Sequence, residues 1–285
     1  METVAILGAG ELGATLARRL AETGSFARIC LVDVDEGRAK GKALDLLQSG
    51  PVEGYDTRLD GARSLRGLGA VDVVVVADPL DLPVSSPGLG PPDSFVREVV
   101  EATGAGLLVV ATAHGAALVA QAVRAGLPRA RVVGSSPLAT AAALRWQIAE
   151  QLRVSAREVT LTVLGGPPDA PIVPHGSATV GGVPVVALSP LALRRALHAV
   201  QGRVPGPVSL AAAACRVLVA LSGGTPAVLP VFAFLEGEYG HRRIALAVPA
   251  RLGHGRVEGI VEVPLETVDR TALDTLAASA WAAGA

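Results

Sequence analysis

One short segment limits the fold of this chain more than any other. Val4–Leu7 reads as a buried strand, Gly8-Ala9-Gly10-Glu11-Leu12-Gly13 follows at once, and Leu12–Glu22 has helical apolar spacing. Gly8 permits the tight strand-to-helix turn, Gly10 lets backbone approach an anion, and Gly13 lets the helix lie close on the strand. The helix N-terminus then faces the same anion. Asp33 ends the next strand, 20 residues after Gly13, where a carboxylate can take both hydroxyls of a ribose. Gly8, Gly10, Glu11, Leu12, Gly13 and Asp33 are therefore the candidate dinucleotide-binding residues. The Asp33 charge favours NAD over a 2′-phosphorylated nucleotide. The plainer reading is the same architecture with a pocket that holds no cofactor.

The surrounding pattern repeats. Val4–Leu7, Ile29–Val32, Val71–Ala77, Leu107–Ala111 and Arg131–Val133 read as strands, and VDVVVVA is apolar almost throughout. Such runs suit parallel strands covered on both faces. Leu12–Glu22, Arg38–Gln48, Ser94–Thr103 and Ala116–Ala125 read as the helices between them. The expectation is an α/β fold, a Rossmann doubly wound parallel sheet.

Beyond residue 138 the order changes. A helix over Ala139–Gln151 leads to a strand over Val159–Leu164 and a hairpin, SATVGGVPVV, turning at Gly181-Gly182. A long helical region (Leu191–Ser222), strands over Val228–Leu235, Ile244–Leu252 and Val257–Val263, and a closing helix from Thr271 follow. This half reads as a second, α+β domain, dividing the chain into 1–138 and 139–285. Pro/Gly-rich stretches at 79–92 and 202–207 read as loops.

Composition removes several classes of function. The net charge of −1, with no Lys/Arg run, argues against nucleic acid. No apolar run is long enough for a membrane span, and no leader pattern opens the chain. Cys30 and Cys215 have no partners at metal-ligand spacing, so no metal is expected, and two lone cysteines fit a reducing cytoplasm. The chain has 23 Arg, 2 Lys and no Asn. The arginine bias reads as genome composition.

Several segments in order resemble the lactate/malate dehydrogenase family, in particular its malate dehydrogenases of the lactate-dehydrogenase-like type. They are LVDVDEGRAKGKALDLLQSGPVEGYDTR (31–58), GLPRARVVG (126–134), VTLTVLGG (159–166), ATVGGVPV (178–185), EGEYG (236–240) and VPARLGHGRVEGIVEVPL (248–265). The resemblance implies a Rossmann domain with a substrate domain, NAD as cofactor, and two- or four-subunit assembly. It also implies hydride transfer between a 2-hydroxy acid and nicotinamide. That chemistry needs a His to exchange the hydroxyl proton and an Asp to orient it. It further needs an Arg to clamp the substrate carboxylate and a mobile-loop Arg to polarise the carbonyl.

At each of these positions the chain departs from the family. The turn that carries the His reads Gly165-Gly166-Pro167-Pro168-Asp169, so Pro167, with no titratable proton, stands in its place. The helix start that carries the Asp and the clamping Arg reads Leu138-Ala139-Thr140-Ala141-Ala142-Ala143, putting Thr140 and Ala143 there. Arg145 lies roughly 200° around the helix from Ala143 and faces away. The mobile loop is matched by residues 78–95, and from Asp72 to Val96 there is no Lys or Arg. The family's Ser-Asn-Pro reads Thr112-Ala113-His114, with Ala113 in place of the Asn. No catalytic residue is therefore assigned.

The leading expectation is an NAD-binding member of the family without 2-hydroxy acid turnover, a pseudoenzyme. It would self-associate or pair with an active paralogue in a regulatory or scaffold role. An active NAD-dependent oxidoreductase on a less anionic substrate, using His114 or His175, is the second; an oligomerisation module without cofactor is the third. Asp169 reads as a hydrogen-bonding turn residue, His241 and His254 as solvated, and Lys40 and Lys42 as surface or interface residues. NAD- and metal-dependent glycosidases share the fold, but neither cysteine lies near a His at ligand spacing.

Overall fold

The computed structural model describes residues 1–77, 99–101 and 106–282. Strands β1 (Thr3–Leu7), β2 (Arg28–Val32), β3 (Arg58–Ala62), β4 (Val73–Val76), β5 (Leu107–Val110) and β6 (Val132–Gly134) lie in the order β3-β2-β1-β4-β5-β6, all parallel. The order reverses between β1 and β4, where an open α/β sheet leaves its crevice.

Helices α1 (Glu11–Thr23), α2 (Glu36–Glu53), α3 (Ala116–Arg124) and α4 (Ser136–Leu152) alternate with these strands. Alternate strand residues face two apolar layers, as a pleated strand requires. Val4, Ile6, Val73 and Val75 pack with Leu12, Leu16 and Leu20 of α1. Ala5, Leu7, Val74 and Val76 pack with Leu118 and Val119 of α3. Truncating a wholly buried side chain such as Leu16 to Ala costs about 2–5 kcal/mol.

The second half extends the same sheet. β12 (Ala227–Glu236) pairs with β6 through Phe232 opposite Gly134, and antiparallel with β13 (Arg242–Gly253). A Cβ at Gly134 would stand 2.9 Å from the Phe232 Cβ, so glycine is what lets the two strands meet. β8 (Leu164–Gly166) and β9 (Ala170–Ile172) continue the order beyond β13, and β14 (Arg256–Ile260) also pairs with β13. A separate small sheet holds β7 (Val159–Thr160), β10 (Thr179–Val180) and β11 (Val183–Pro184). The one-turn α5 (Val185–Leu188), α6 (Ala192–Val200), α7 (Pro207–Ser222) and α8 (Thr267–Ala282) complete the described elements. No helix among the described residues is long and apolar enough to cross a membrane.

The doubly wound parallel sheet and the Gly181-Gly182 hairpin are borne out; both glycines have positive φ, 55° and 85°. Several element expectations need correction. β3 is absent from the sequence reading, and α2 runs past Gln48 through Gly50 and Pro51 to Glu53. Val159–Leu164 is not one strand: β7 pairs with β10, whereas β8, beginning at Leu164, pairs with β13. Leu191–Ser222 is two helices, broken where Gly202 turns the chain at a φ of 70° and Pro207 opens α7. The loop at 78–95, and all but residues 99–101 of the helix expected over Ser94–Thr103, lie outside the described residues.

Candidate cofactor and substrate site

Two groups of residues occupy the crevice end of the parallel strands. The first surrounds the glycine turn. Gly8 has a φ of 96° and its N–H donates to the Val32 carbonyl at 2.8 Å, so a residue with a Cβ would be strained there. Gly10 is the N-cap of α1, Leu12 and Gly13 are buried, and Glu11 is exposed in the first turn. The 13-residue helix carries about half a positive charge at this end.

Asp33, only 3% exposed, lies immediately beyond β2. Its Oδ2 accepts the Ala9 N–H at 2.8 Å. Its Oδ1 accepts the Asp35 N–H at 3.0 Å and Arg38 Nη2 at 2.6 Å. Burial pushes this carboxyl up, but the bonds from Arg38, Ala9 and Asp35 outweigh it and hold the group below the usual carboxylate range. The acid thus ties the glycine turn to the first turn of α2.

The second group lies where β5, α4 and the β8–β9 turn meet. Ser136 Oγ donates to the Ala113 carbonyl at 2.8 Å and the Ser135 N–H to the Val110 carbonyl at 2.9 Å, which fixes the start of α4 against the end of β5. Thr140, 3% exposed, is one turn along, and its hydroxyl has no hydrogen-bond partner among the described residues. Ala143 packs into the apolar cluster of Leu144, Ile148 and Val159. Arg145 is committed elsewhere: Nε donates to the Val159 carbonyl at 2.7 Å and Nη2 to that of Ala156 at 2.9 Å. Pro167 and Pro168, joined by a cis peptide, are buried in the β8–β9 turn.

Asp169, next in that turn, is exposed, and its Oδ2 stands 3.4 Å from Nε2 of His114 in the turn after β5. The carboxylate of this turn residue therefore reaches across to another element. His175 goes elsewhere. Its N–H donates to Asp269 at 2.8 Å and its ring lies 3.9 Å from Glu266, both at the start of α8. His241 is not solvated as expected, being 17% exposed and 3.0 Å from Asp274 of α8; His254, paired with Glu258, is mostly exposed. An open groove of about 670 Å³ between β9, α6 and α8 is lined mainly by apolar groups such as Ile172, Leu197 and Val268.

Residues 140–280 match the family model for the lactate/malate dehydrogenase α/β C-terminal domain. The chain is 34% identical to a malate dehydrogenase of Xanthobacter autotrophicus, with 95% of this chain and 92% of that protein covered. It is also 34% identical to one from Thermomicrobium roseum, over 95% and 93%. The chain belongs to the lactate/malate dehydrogenase family. The malate dehydrogenase of Salinibacter ruber superposes with a TM-score of 0.91 at 28% identity, over 99% of this chain and 96% of that one.

Within this member of the family, sequence reasoning reached Asp33 but missed its partner Arg38, five residues on. One turn of helix after a capping Asp is a detectable spacing. The His114–Asp169 contact joins residues 55 positions apart, and no local pattern announces it.

Proposed function

We propose that this family member binds NAD through the glycine turn and Asp33 but does not interconvert 2-hydroxy and 2-oxo acids. The cofactor fits the residues present. Gly8 supplies the turn, Gly10 and the α1 N-terminus would hold the pyrophosphate, and Asp33 would meet the adenosine ribose. When bound, NAD supplies a nicotinamide ring that accepts or returns a hydride. Residues 1–138 would hold the nucleotide and 139–285 would form the substrate side.

One observation carries the loss of turnover: the turn that should present an imidazole presents the buried ring of Pro167. Proline can neither take nor give a proton. The groups at the other family positions do not replace it. Thr140, at the position where the family orients its His, has a hydroxyl without a described partner. Ala113 and Ala143 carry no polar side-chain atom, and Arg145 spends its guanidinium on two carbonyls. Losing a general acid–base group costs roughly 10²–10⁴ in rate, and losing the carboxylate clamp removes much of a proximity effect worth up to ~10 kcal/mol.

The relatives named malate dehydrogenase favour activity, and the His114–Asp169 pair supports that second reading. A carboxylate 3.4 Å from an imidazole can orient it and stabilise its protonated form. With no arginine among the described residues placed to clamp an acid, its substrate would be a neutral alcohol or carbonyl compound. The test is NADH oxidation with oxaloacetate and pyruvate at high protein concentration, beside calorimetry with NAD⁺. Binding without turnover is expected. Turnover of about one per second would overturn the proposal, and absence of nucleotide binding would leave the oligomerisation-module reading. Self-association, the family's habit, is supported by Leu44 and Leu47, exposed three residues apart on α2.

A further inference from the structure

The corner around Asp33 is not the bare carboxylate that the sequence suggested, and what it can bind changes accordingly. A carboxylate offers about four lone-pair directions. The protein itself uses three, through Ala9, Asp35 and Arg38. A ribose diol seeking both oxygens of a free acid therefore finds one acceptor direction left. The charge is also matched at contact distance. The Asp33 side chain is 4% exposed and that of Arg38 50%, so the surface presented here is guanidinium and not carboxylate.

A second cation stands at the same corner. The Asp33 N–H donates to the Ala62 carbonyl at 3.0 Å, which carries the β2–β3 pairing one residue past Val32 opposite Ala62. Arg63, exposed, is thereby set at the strand end beside Asp33. Its charge reaches the first turn of α2: the Glu36 carboxyl is held down chiefly by Lys40 and further by Arg63. The neighbouring acids have partners. Glu36 pairs with Lys40 at 2.7 Å, and Asp35 caps α2 by accepting the Arg38 N–H at 3.0 Å. The helix lies close on β3, since a Cβ at Gly61 would overlap the backbone of Ala39 and Lys40.

We propose that Arg38 and Arg63 form a seat for a 2′-phosphate, so that the pocket accepts NADP(H) as well as NAD(H). The inference rests on the nucleotide-binding reading above. It replaces the expectation that Asp33 would repel a 2′-phosphate: the acid is neutralised, and a guanidinium fork matches phosphate oxygens.

The experiment is calorimetry on the full chain with NAD⁺, NADP⁺, 5′-AMP and 2′,5′-ADP, repeated for Arg38→Leu and Arg63→Ala. NADP⁺ should bind within about tenfold of NAD⁺, and 2′,5′-ADP more tightly than 5′-AMP. Either substitution should lower the NADP⁺/NAD⁺ affinity ratio by about tenfold or more. Arg63→Ala alters an exposed side chain, so it tests the seat even where Arg38→Leu, which unpairs a buried acid, fails to fold. NAD⁺ binding with NADP⁺ more than about 100-fold weaker would overturn the seat and leave the nucleotide-binding reading intact. So would a ratio unchanged in Arg63→Ala. If neither dinucleotide binds, that reading itself falls and takes the seat with it.

Discussion

Nε2 of His114 lies 3.4 Å from Oδ2 of Asp169, so the turns after β5 and β8 meet through an imidazole and a carboxylate. Both side chains are more than half exposed, at 58% and 68%. Water screens such a pair, and its worth to the fold is about 0–1 kcal/mol. His114→Ala should therefore shift the urea midpoint little. Any oxidoreduction of a neutral alcohol found in the wild type should vanish in the same variant. A loss of several kcal/mol in urea titration would show that the contact is structural, and an alcohol activity surviving without His114 would end its candidacy as an acid–base group.

Asp33 should matter to stability in a way His114 does not. Asp33→Ala leaves the Ala9 and Asp35 N–H groups without their acceptor at a site 3% exposed. The orphaned buried donor of Ala9 costs about 1–3 kcal/mol, and the part-buried one of Asp35 less. The pH dependence follows from the sign of the shift. The folded Asp33 carboxyl lies below its unfolded value. Asp72 does too, because it accepts the N–H groups of Thr3 and Glu2. Their stabilisation is full above the unfolded value of about 3.9 and disappears as pH falls through the lower folded values. Urea titrations between about pH 2 and 6 should show the loss, and Asp72→Asn should flatten part of it. An unchanged slope would remove Asp72 from the account.

What the sequence revealed and what it hid follow one physical division. β1, β2, β4 and β5 are buried apolar runs, and burial leaves a compositional trace that can be read without coordinates. β3 is RLDGA, half-exposed at the sheet edge, where pairing costs no apolar residues. Its identity as a strand comes from β2 alongside, not from its own letters. Val159–Leu164 misled for a related reason: one apolar run serves two sheets, and the break between them is set by which partner each end finds. At the site, Gly8 and Asp33 were legible because their spacing follows from backbone geometry. Arg38's hold on Asp33 was accessible by helical spacing but ran against the assumption that a ribose-facing acid is free. The meeting of His114 with Asp169 depends on the whole sheet order and had no local signal.

The outer face of α2 should form part of a subunit contact. Leu44 and Leu47 are 55% and 42% exposed on this 18-residue helix, and Val52 near its end is 89% exposed. Apolar side chains grouped on one helix face are what an interface covers. Leu44→Asp with Leu47→Asp should shift the sedimenting species toward monomer while the far-ultraviolet circular dichroism is kept, because neither side chain belongs to the buried core. An unchanged sedimentation coefficient in the variant would exclude this face.

The two thiols should report on opening of the fold. Cys30 lies inside β2 at 1% exposure, and burial pushes its thiol up to about 11; burial likewise raises Cys215 on α7. At pH 8 both remain protonated and out of solvent, and only the thiolate reacts. A water-soluble aromatic disulfide should therefore leave both unmodified in the native chain and label both in denaturant. Cys30 has parallel strands on both sides, so its native labelling rate should track opening of the β3-β2-β1 side of the sheet. Cys215 packs with α1 residues and should label faster if the α1–α7 pair opens by itself. Equal rates across a denaturant series would mean that sheet and helix pair open as one unit. Rapid labelling of Cys30 without denaturant would contradict the burial of β2 on which the nucleotide corner depends.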